Sequence, residues 1–278
     1  MVVDVEAAER LREVLAGLPR LAVAFSGGLD SRFLCHMALA SGCDVLALHG
    51  QGPHVPEEES AAARAWAQGR GLRLITLVHD PLALPEVAAN SRERCYACKR
   101  ALIGAMRATL TVAGEAERAL CDGGNADDQR AFRPGLRAVA EAGVRSPLAE
   151  AGLTKAAIRE LARATSLDRP EQAARPCLLT RLAYGMRPDA DLLARVAAAE
   201  AALAALDAAD REGQSAGGPA GGLGDFRLRL TPEPVLQCAR LPERLAAAAE
   251  AILAEQGFAP FSVVTGGMVS GFFDAGPR

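Results

Sequence analysis

Residues 21–34 read LAVAFSGGLDSRFL: an apolar pentapeptide, then a serine, two glycines, a leucine, an aspartate and a serine, then a second apolar run. A short buried strand that enters a glycine turn and continues as a helix constrains the fold more than any other stretch of this chain. The same alternation then recurs. Residues 44–50 and 72–80 read as buried strands, 57–69 and 91–108 as helices, and 119–124 as a fourth strand ending in glycines. Strands alternating with helices predict an α/β fold, a parallel sheet covered by helices on both faces. Such sheets bind ligands beyond the carboxyl ends of their strands. Residues 26–31, 49–50 and 122–124 fall on that edge.

Helical spacing also marks residues 4–17. Farther along, 153–167 is a helix with Thr154 at its N-cap position. Residues 169–188 lie between prolines and read as loop, and 190–209 form a long Ala/Leu helix. Residues 213–224 are glycine-rich and read as a mobile loop. A strand at 226–231, a helix at 241–257 and a last strand at 261–267 complete the chain. This pattern predicts two domains, 1–187 and a smaller α+β unit at 188–278.

Composition removes several function classes. The 278 residues carry a net charge of −3, so no broad basic face for nucleic acid is expected. No apolar leader precedes the first helix and no run of about 18 apolar residues occurs, which predicts a cytoplasmic protein without a membrane span. The seven cysteines are scattered and odd in number, the pattern of reduced thiols. The four histidines, His36, His49, His54 and His79, show no ligand spacing. Cys95 and Cys98 form a C-x-x-C without a second pair to complete a zinc site, and are read as structural. Cys35, Cys43, Cys121 and Cys238 are read as small apolar residues. Lys99 and Lys155 are the only lysines.

The turn at residues 26–31 aims backbone N–H groups and a helix dipole at one point, which suits a phosphate. Glycine at 27 and 28 permits close approach, and Ser26 and Ser31 add hydroxyl donors. An ordinary tight strand–helix turn is the alternative. No G-x-x-x-x-G-K-[ST] and no G-x-G-x-x-G is present. Residues 26–31, SGGLDS, do resemble the S-G-G-x-D-S pyrophosphate loop of the adenine-nucleotide alpha-hydrolase-like ATP pyrophosphatases, placed where that family has it, after the first strand. The resemblance implies that ATP binds at Ser26, Gly27, Gly28, Asp30 and Ser31, with Asp30 near Mg2+. It implies splitting of ATP to AMP and pyrophosphate to activate a carbonyl oxygen.

Three more segments, RCYACK (94–99), CDGGNADDQRAFRPGLRAVAEAGVRSPLAE (121–150) and PCLLTRLAYG (176–185), resemble the ATP-dependent sacrificial sulfur transferases of the LarE type, which make the nickel-pincer nucleotide cofactor. The likeness runs from about residue 10 to residue 205. It implies that a pyridinium biscarboxylate mononucleotide is adenylated on a carboxylate and attacked by a cysteine thiolate. The cysteine C–S bond then breaks, giving a thiocarboxylate and a dehydroalanine. The matching donor is Cys177. Arg175 and Arg181 flank it, and nearby cations lower a thiol pKa; a buried structural cysteine is the alternative on residue spacing alone. Lys99 matches a lysine near the nucleotide, or is a solvated surface charge. Asn125, Asp128 and Arg133 follow the fourth strand, suited either to magnesium and phosphate or to capping and loop ion pairs. Arg181 is placed with the ATP-binding residues.

Arg227 and Arg229 share one strand face, and the similar enzymes use an R-x-R here for phosphate; surface acids are the alternative partners. Glu200 matches a glutamate at an oligomer contact in the family, or lies on a solvated helix face. The likeness implies a homo-oligomer, a trimer or hexamer. Beyond Arg229 the chain departs from the pattern. Leu236 and Cys238 stand where arginine and glutamate are usual, Thr265 at a usual aspartate, and Val269 at a usual arginine. Leu179 and Thr180 replace small hydroxyl residues. The acceptor is therefore expected to be a small, mononucleotide-like carboxylate, or another small molecule such as a natural-product intermediate. The competing classes are a tRNA-thiolating enzyme, an ammonia-using synthetase, an adenine-nucleotide sensor and a cluster-bearing sulfur carrier. With Cys177 alone in the donor region, sacrifice of the cysteine is favoured over a three-cysteine cluster.

Overall fold

A computed structural model describes residues 5–128, 134–213, 221–266 and 272–273. The chain divides into two compact units, residues 1–84 with 93–175 and residues 85–92 with 176–278. The change of unit thus precedes the expected residue 187, and a short upstream segment belongs to the second unit.

In the first unit, strands β1 (Arg20–Ala24), β2 (Asp44–Gln51), β3 (Arg73–Val78) and β4 (Ala119–Cys121) form a parallel sheet in the order β3-β2-β1-β4. Its main helices are α1 (Val5–Ala16), α2 (Leu29–Ala40), α3 (Glu57–Gly69), α4 (Arg94–Val112), α5 (Pro134–Glu141) and α6 (Lys155–Ala164). Both faces of the central strands β1 and β2 are covered, which is why they read as near-continuous apolar runs, whereas β3, expected to be buried, lies at the sheet edge with only Leu77 buried and Val78 exposed. Leu21, Val23, Val45 and Ala47 join one core with residues of α1, α2, α3 and α6. Their neighbours Ala22, Leu46 and Leu48 point the other way, into a second core with Ile103, Met106 and Leu110 of α4. Thr154 caps α6 as expected, its hydroxyl accepting from Ala157 N–H at 3.2 Å.

The amino ends of three strands carry a charge cluster. Arg20, Asp44 and Arg73 open β1, β2 and β3, and Glu115 accepts from Arg20, Arg73 and buried Arg118 at 2.7–2.8 Å. The carboxyl ends carry the glycines and hydroxyls instead, so the sheet is polarised between a structural edge and a ligand edge.

The second unit holds a three-stranded sheet, β5 (Phe226–Leu230), β6 (Pro234–Cys238) and β7 (Ser262–Thr265), in that order. β5 and β6 are antiparallel, β6 and β7 parallel. Helix α7 (Ala190–Gly213) buries Leu193, Val196, Ala199 and Leu203, and helix α8 (Glu243–Glu255) buries Leu245, Ala249 and Leu253. Strand β6 is absent from the sequence expectation: proline opens it, a position strands tolerate, and it is only five residues long. Residues 85–92 belong here because Asn90 donates its amide to Ala183 O at 2.7 Å and accepts Gly185 N–H at 3.1 Å. The expected glycine-rich loop lies mostly outside the described residues, as does Val269. Among the described residues, no helix is long and apolar enough to cross a membrane.

Candidate active site

Strand order alone locates a crevice. From β1 the chain goes to β2 on one side and later returns to β4 on the other, so β1 and β4 border the point where connections diverge. The loops after these strands are residues 26–28 and 122–128. Between them sits the start of α2. Gly28 is the N-cap of α2 and no side chain caps the helix. The first helical bond runs from Arg32 N–H to Gly28 O at 3.0 Å, so the amides of the first turn have no carbonyl inside the helix.

The glycines are sterically required. Gly27 has φ +75°, and a Cβ there would sit 2.7 Å from Ala63 Cβ on α3. At Gly123 a Cβ would meet Ser31 N at 2.9 Å and Asp30 C at 3.1 Å, so the β4 loop passes directly over the α2 start. The hydroxyls of Ser26 and Ser31 are 3.2 Å apart, Ser31 donating to Gly28 O at 3.1 Å and Gly28 N–H to Ser26 Oγ at 3.3 Å. Ser26, Gly27, Gly28, Asp30, Ser31 and Asn125 are thereby assembled around one helix start. Buried His49 braces the turn, bonding Phe25 O at 2.9 Å and Ser60 Oγ at 3.0 Å.

Asp30 is engaged more fully than expected. Its Oδ1 accepts from Lys155 Nζ at 2.5 Å and its Oδ2 from Asn125 Nδ2 at 3.2 Å. The expectation of Mg2+ at Asp30 therefore meets an ammonium group on that carboxylate. Asp128 Oδ2 accepts Asn125 N–H at 3.1 Å, and Asp127 accepts Lys155 N–H at 2.8 Å, so the loop after β4 and the start of α6 form one polar network. Asp128 thus makes a loop hydrogen bond beside the α2 start. Lys155 was missed by sequence reasoning. Its signal was rarity, one of two lysines in an arginine-rich chain. Lys99 is half-buried in the second turn of α4, and Arg133 lies outside the described residues.

Cys177 belongs to the second unit. It is the N-cap of a 3₁₀ turn, Leu178–Arg181, and is half-buried. All seven cysteines are thiols; burial pushes Cys35 up strongly and Cys121 up to about 12, as inert core cysteines require. Arg181, expected among the ATP-binding residues, makes its contacts within the second unit. It is buried, forks onto Glu200 at 3.0 and 2.8 Å, and donates to the carbonyls of Pro176 at 2.7 Å and Cys177 at 3.3 Å. It fixes the backbone of the cysteine turn, while its charge is matched by Glu200. Arg175 pairs with Glu59 at 4.0 Å, within the first unit. Glu200 is Arg181's partner and also accepts Leu228 N–H at 2.9 Å, so it does not lie on a freely solvated face.

Arg229 is buried, not aligned with surface acids. It donates to Gln237 Oε1 at 3.0 Å and Thr180 O at 2.9 Å. Burial, then the charges of Arg181 and Arg227, pull its pKa down to about 10, against the opposing charge of Glu200. Leu236 and Cys238, the positions that depart from the expected arginine and glutamate, are fully buried in β6.

Three further side chains converge in the first unit, two histidines that the sequence left unassigned and a cysteine that it read as structural. His54 follows β2, His79 follows β3, and Cys98 lies on α4; their ligand-capable atoms all fall within 4.8 Å of one another. Burial lowers His54 to about 4, the charge of His79 adding to it, and burial lowers His79 as well.

No family model matches the chain. It is 34% identical over 193 residues to the uncharacterised protein slr1717 of Synechocystis sp., covering 69% of this chain and 71% of that protein. It is 33% identical over 194 residues to the pyridinium-3,5-bisthiocarboxylic acid mononucleotide synthase of Lactiplantibacillus plantarum, covering 69% and 70%. Among solved structures, NMN synthetase from Francisella tularensis aligns with a TM-score of 0.48 and 16% identity, over 61% of this chain and 74% of that one, a likeness that carries no argument. The glycine turn at the switch point of a parallel sheet, together with one-third identity over seven-tenths of a synthase, leads to one statement of kinship: this chain belongs to the LarE-like family of pyridinium-3,5-bisthiocarboxylic acid mononucleotide synthases.

Proposed function

We propose that this protein is an ATP-dependent sulfur transferase that adenylates a carboxylate of a small substrate and donates the sulfur of its own Cys177. The observation that carries the reading is the uncapped α2 start between Gly27, Gly28 and Gly123, a surface of N–H groups at the switch point that a side chain would fill. A triphosphate fits its donors: the first-turn amides, the Ser26 and Ser31 hydroxyls and the Lys155 ammonium. Mg2+ would arrive with ATP and offset phosphate charge; Asp30 and Asp128 are the nearby carboxylates.

The chemistry follows from charge. The substrate carboxylate oxygen attacks the α-phosphorus of ATP and pyrophosphate leaves, held by the α2 amides as charge builds on it. The Cys177 thiolate then attacks the acyl carbon, and AMP leaves with the bond to its oxygen. A base removes the Cys177 α-proton, the Cβ–S bond breaks toward sulfur, and a thiocarboxylate departs from a dehydroalanine. Arg181 holds the backbone on which this happens, through the Pro176 and Cys177 carbonyls. Arg227 and Arg229 would meet a substrate phosphate; burial first, and then the charges of Arg181 and Arg227, depress the pKa of Arg229, and a bound anion would offset the charge part.

A second acceptor has its own support. Leu236 and Cys238 fill core positions where charged side chains were expected, so this chain has fewer groups to recognise the pyridinium mononucleotide and suits another small carboxylate. The test is AMP and pyrophosphate formation from ATP, with the pyridinium biscarboxylate mononucleotide and then with other small carboxylic acids. AMP with the mononucleotide supports the first acceptor, AMP only with another acid supports the second, and no AMP with any acid overturns the enzyme reading in favour of a nucleotide sensor.

A further inference from the structure

We infer that His54, His79 and Cys98 form a binding site for one thiophilic divalent cation, zinc by preference, with its fourth position open to solvent. The site is separate in composition from the triphosphate cradle and does not depend on the proposed reaction.

The backbone builds it. In the parallel sheet, β2 and β3 are neighbours and end together, Gln51 pairing with Val78. His79 N–H then donates to Gln51 O at 2.8 Å, and a turn closed by Val55 N–H on Gly52 O at 3.0 Å swings His54 back over the strand ends. Gly52 is indispensable to that closure, because a Cβ there would lie 1.9 Å from His79 O and 3.3 Å from His54 Nδ1. The first turns of α4 bring Cys98 to the same point, and His79 Nε2 stands 3.4 Å from Cys98 Sγ. The two imidazoles meet edge to face, centroids 5.5 Å apart.

Two measures fit a metal ion at this hydrogen-bonded His79–Cys98 pair. First, zinc bonds of about 2.3 Å to sulfur and 2.0–2.1 Å to nitrogen put tetrahedral ligands about 3.5 Å apart. The His79–Cys98 separation of 3.4 Å already has that length, and the 4.8 Å limit on the whole set leaves shifts of about 1 Å to close it. Second, His54 is 6% exposed, and its Nδ1 has no hydrogen-bond partner among the described residues. A buried imidazole nitrogen without a partner is costly unless something occupies its lone pair or takes its proton. Two imidazoles and one thiolate are the donor set of zinc, and three protein ligands leave one position for water. On binding, the Cys98 thiol loses its proton to solvent and no electrons move. The ion would tie the ends of β2 and β3 to the start of α4, fixing the turn that carries Lys99.

The test uses the full chain, stripped with a chelator and titrated with Zn2+ by calorimetry and with Co2+ by absorption. The expected result is one tight equivalent per chain and a thiolate-to-Co2+ charge-transfer band with tetrahedral d–d bands. Both persist in Cys177→Ser and Cys95→Ser. In Cys98→Ser, checked for folding by circular dichroism, affinity falls by about 100-fold or more and the band disappears. His79→Gln weakens binding similarly. A wild-type chain without a thiolate band, or a band lost in Cys177→Ser and kept in Cys98→Ser, overturns the inference.

Discussion

Gly27→Ala isolates the geometry of the cradle. Two separate strains arise. The residue must keep φ +75°, a left-handed conformation that a Cβ disfavours by about 1–2 kcal/mol. Its Cβ would also stand 2.7 Å from Ala63 Cβ, well inside ordinary contact, and such overpacking costs about 1–3 kcal/mol. The expected loss is therefore about 2–5 kcal/mol in chemical unfolding. Ala63→Gly separates the parts. Alone it costs about 1 kcal/mol, as glycine within α3. In that background the Cβ overlap is gone, so Gly27→Ala should be milder by about 1–3 kcal/mol, leaving the conformational part of about 1–2 kcal/mol. Binding of ATP should weaken by about tenfold or more in both backgrounds, because only at φ +75° do the turn amides face the cradle and an alanine there relaxes away from it. Equal cost of Gly27→Ala with and without Ala63, or a loss below about 0.5 kcal/mol, would refute the reasoning.

Other outcomes follow from individual contacts. Lys155→Met should change stability by less than about 1 kcal/mol, since its pair with Asp30 is partly solvated, but lower kcat/KM for AMP formation by about tenfold to a hundredfold; unchanged kinetics would remove Lys155 from the site. Glu200→Ala should destabilise the chain by about 3–5 kcal/mol by stranding buried Arg181 close to Arg229, whereas Arg181→Met with Glu200→Leu should lie within about 2 kcal/mol of wild type in denaturant titration. Glu115 is held down at about 2 by hydrogen bonds first from Arg118 and then from Arg73. Its folded pKa lies below its unfolded value, so its stabilisation is complete above about pH 4.5 and is lost as pH falls toward 2; Glu115→Gln should flatten the acid limb of a stability–pH profile in that window.

The central strands were legible because burial on both faces leaves a local mark, an apolar run in β1 and β2; edge strand β3 carries the same apolar residues although only Leu77 is buried. The phosphate turn was legible for a related reason, since strand, turn and helix are contiguous in residues 21–34. Strand β6 was not, because Pro234 and Pro232 look like loop punctuation while its pairing with β5 and β7 is tertiary. Arg181 and Glu200 carry no mutual signal across nineteen positions, so their ion pair was not legible. The same holds for His54, His79 and Cys98, which only the parallel register of β2 and β3 brings together. Lys155 was visible as a rare residue, but its place beside Asp30 depends on α6 returning to the sheet's ligand edge.

The direct test of the account is intact-protein and peptide mass after one turnover with ATP, magnesium and the carboxylate acceptor. The account predicts a chain lighter by about 34 Da, the mass of one hydrogen sulfide, with dehydroalanine mapped to Cys177, in proportion to AMP formed and thiolated product released. A thiolated product with the mass at Cys177 unchanged would contradict it and place the sulfur source outside this chain.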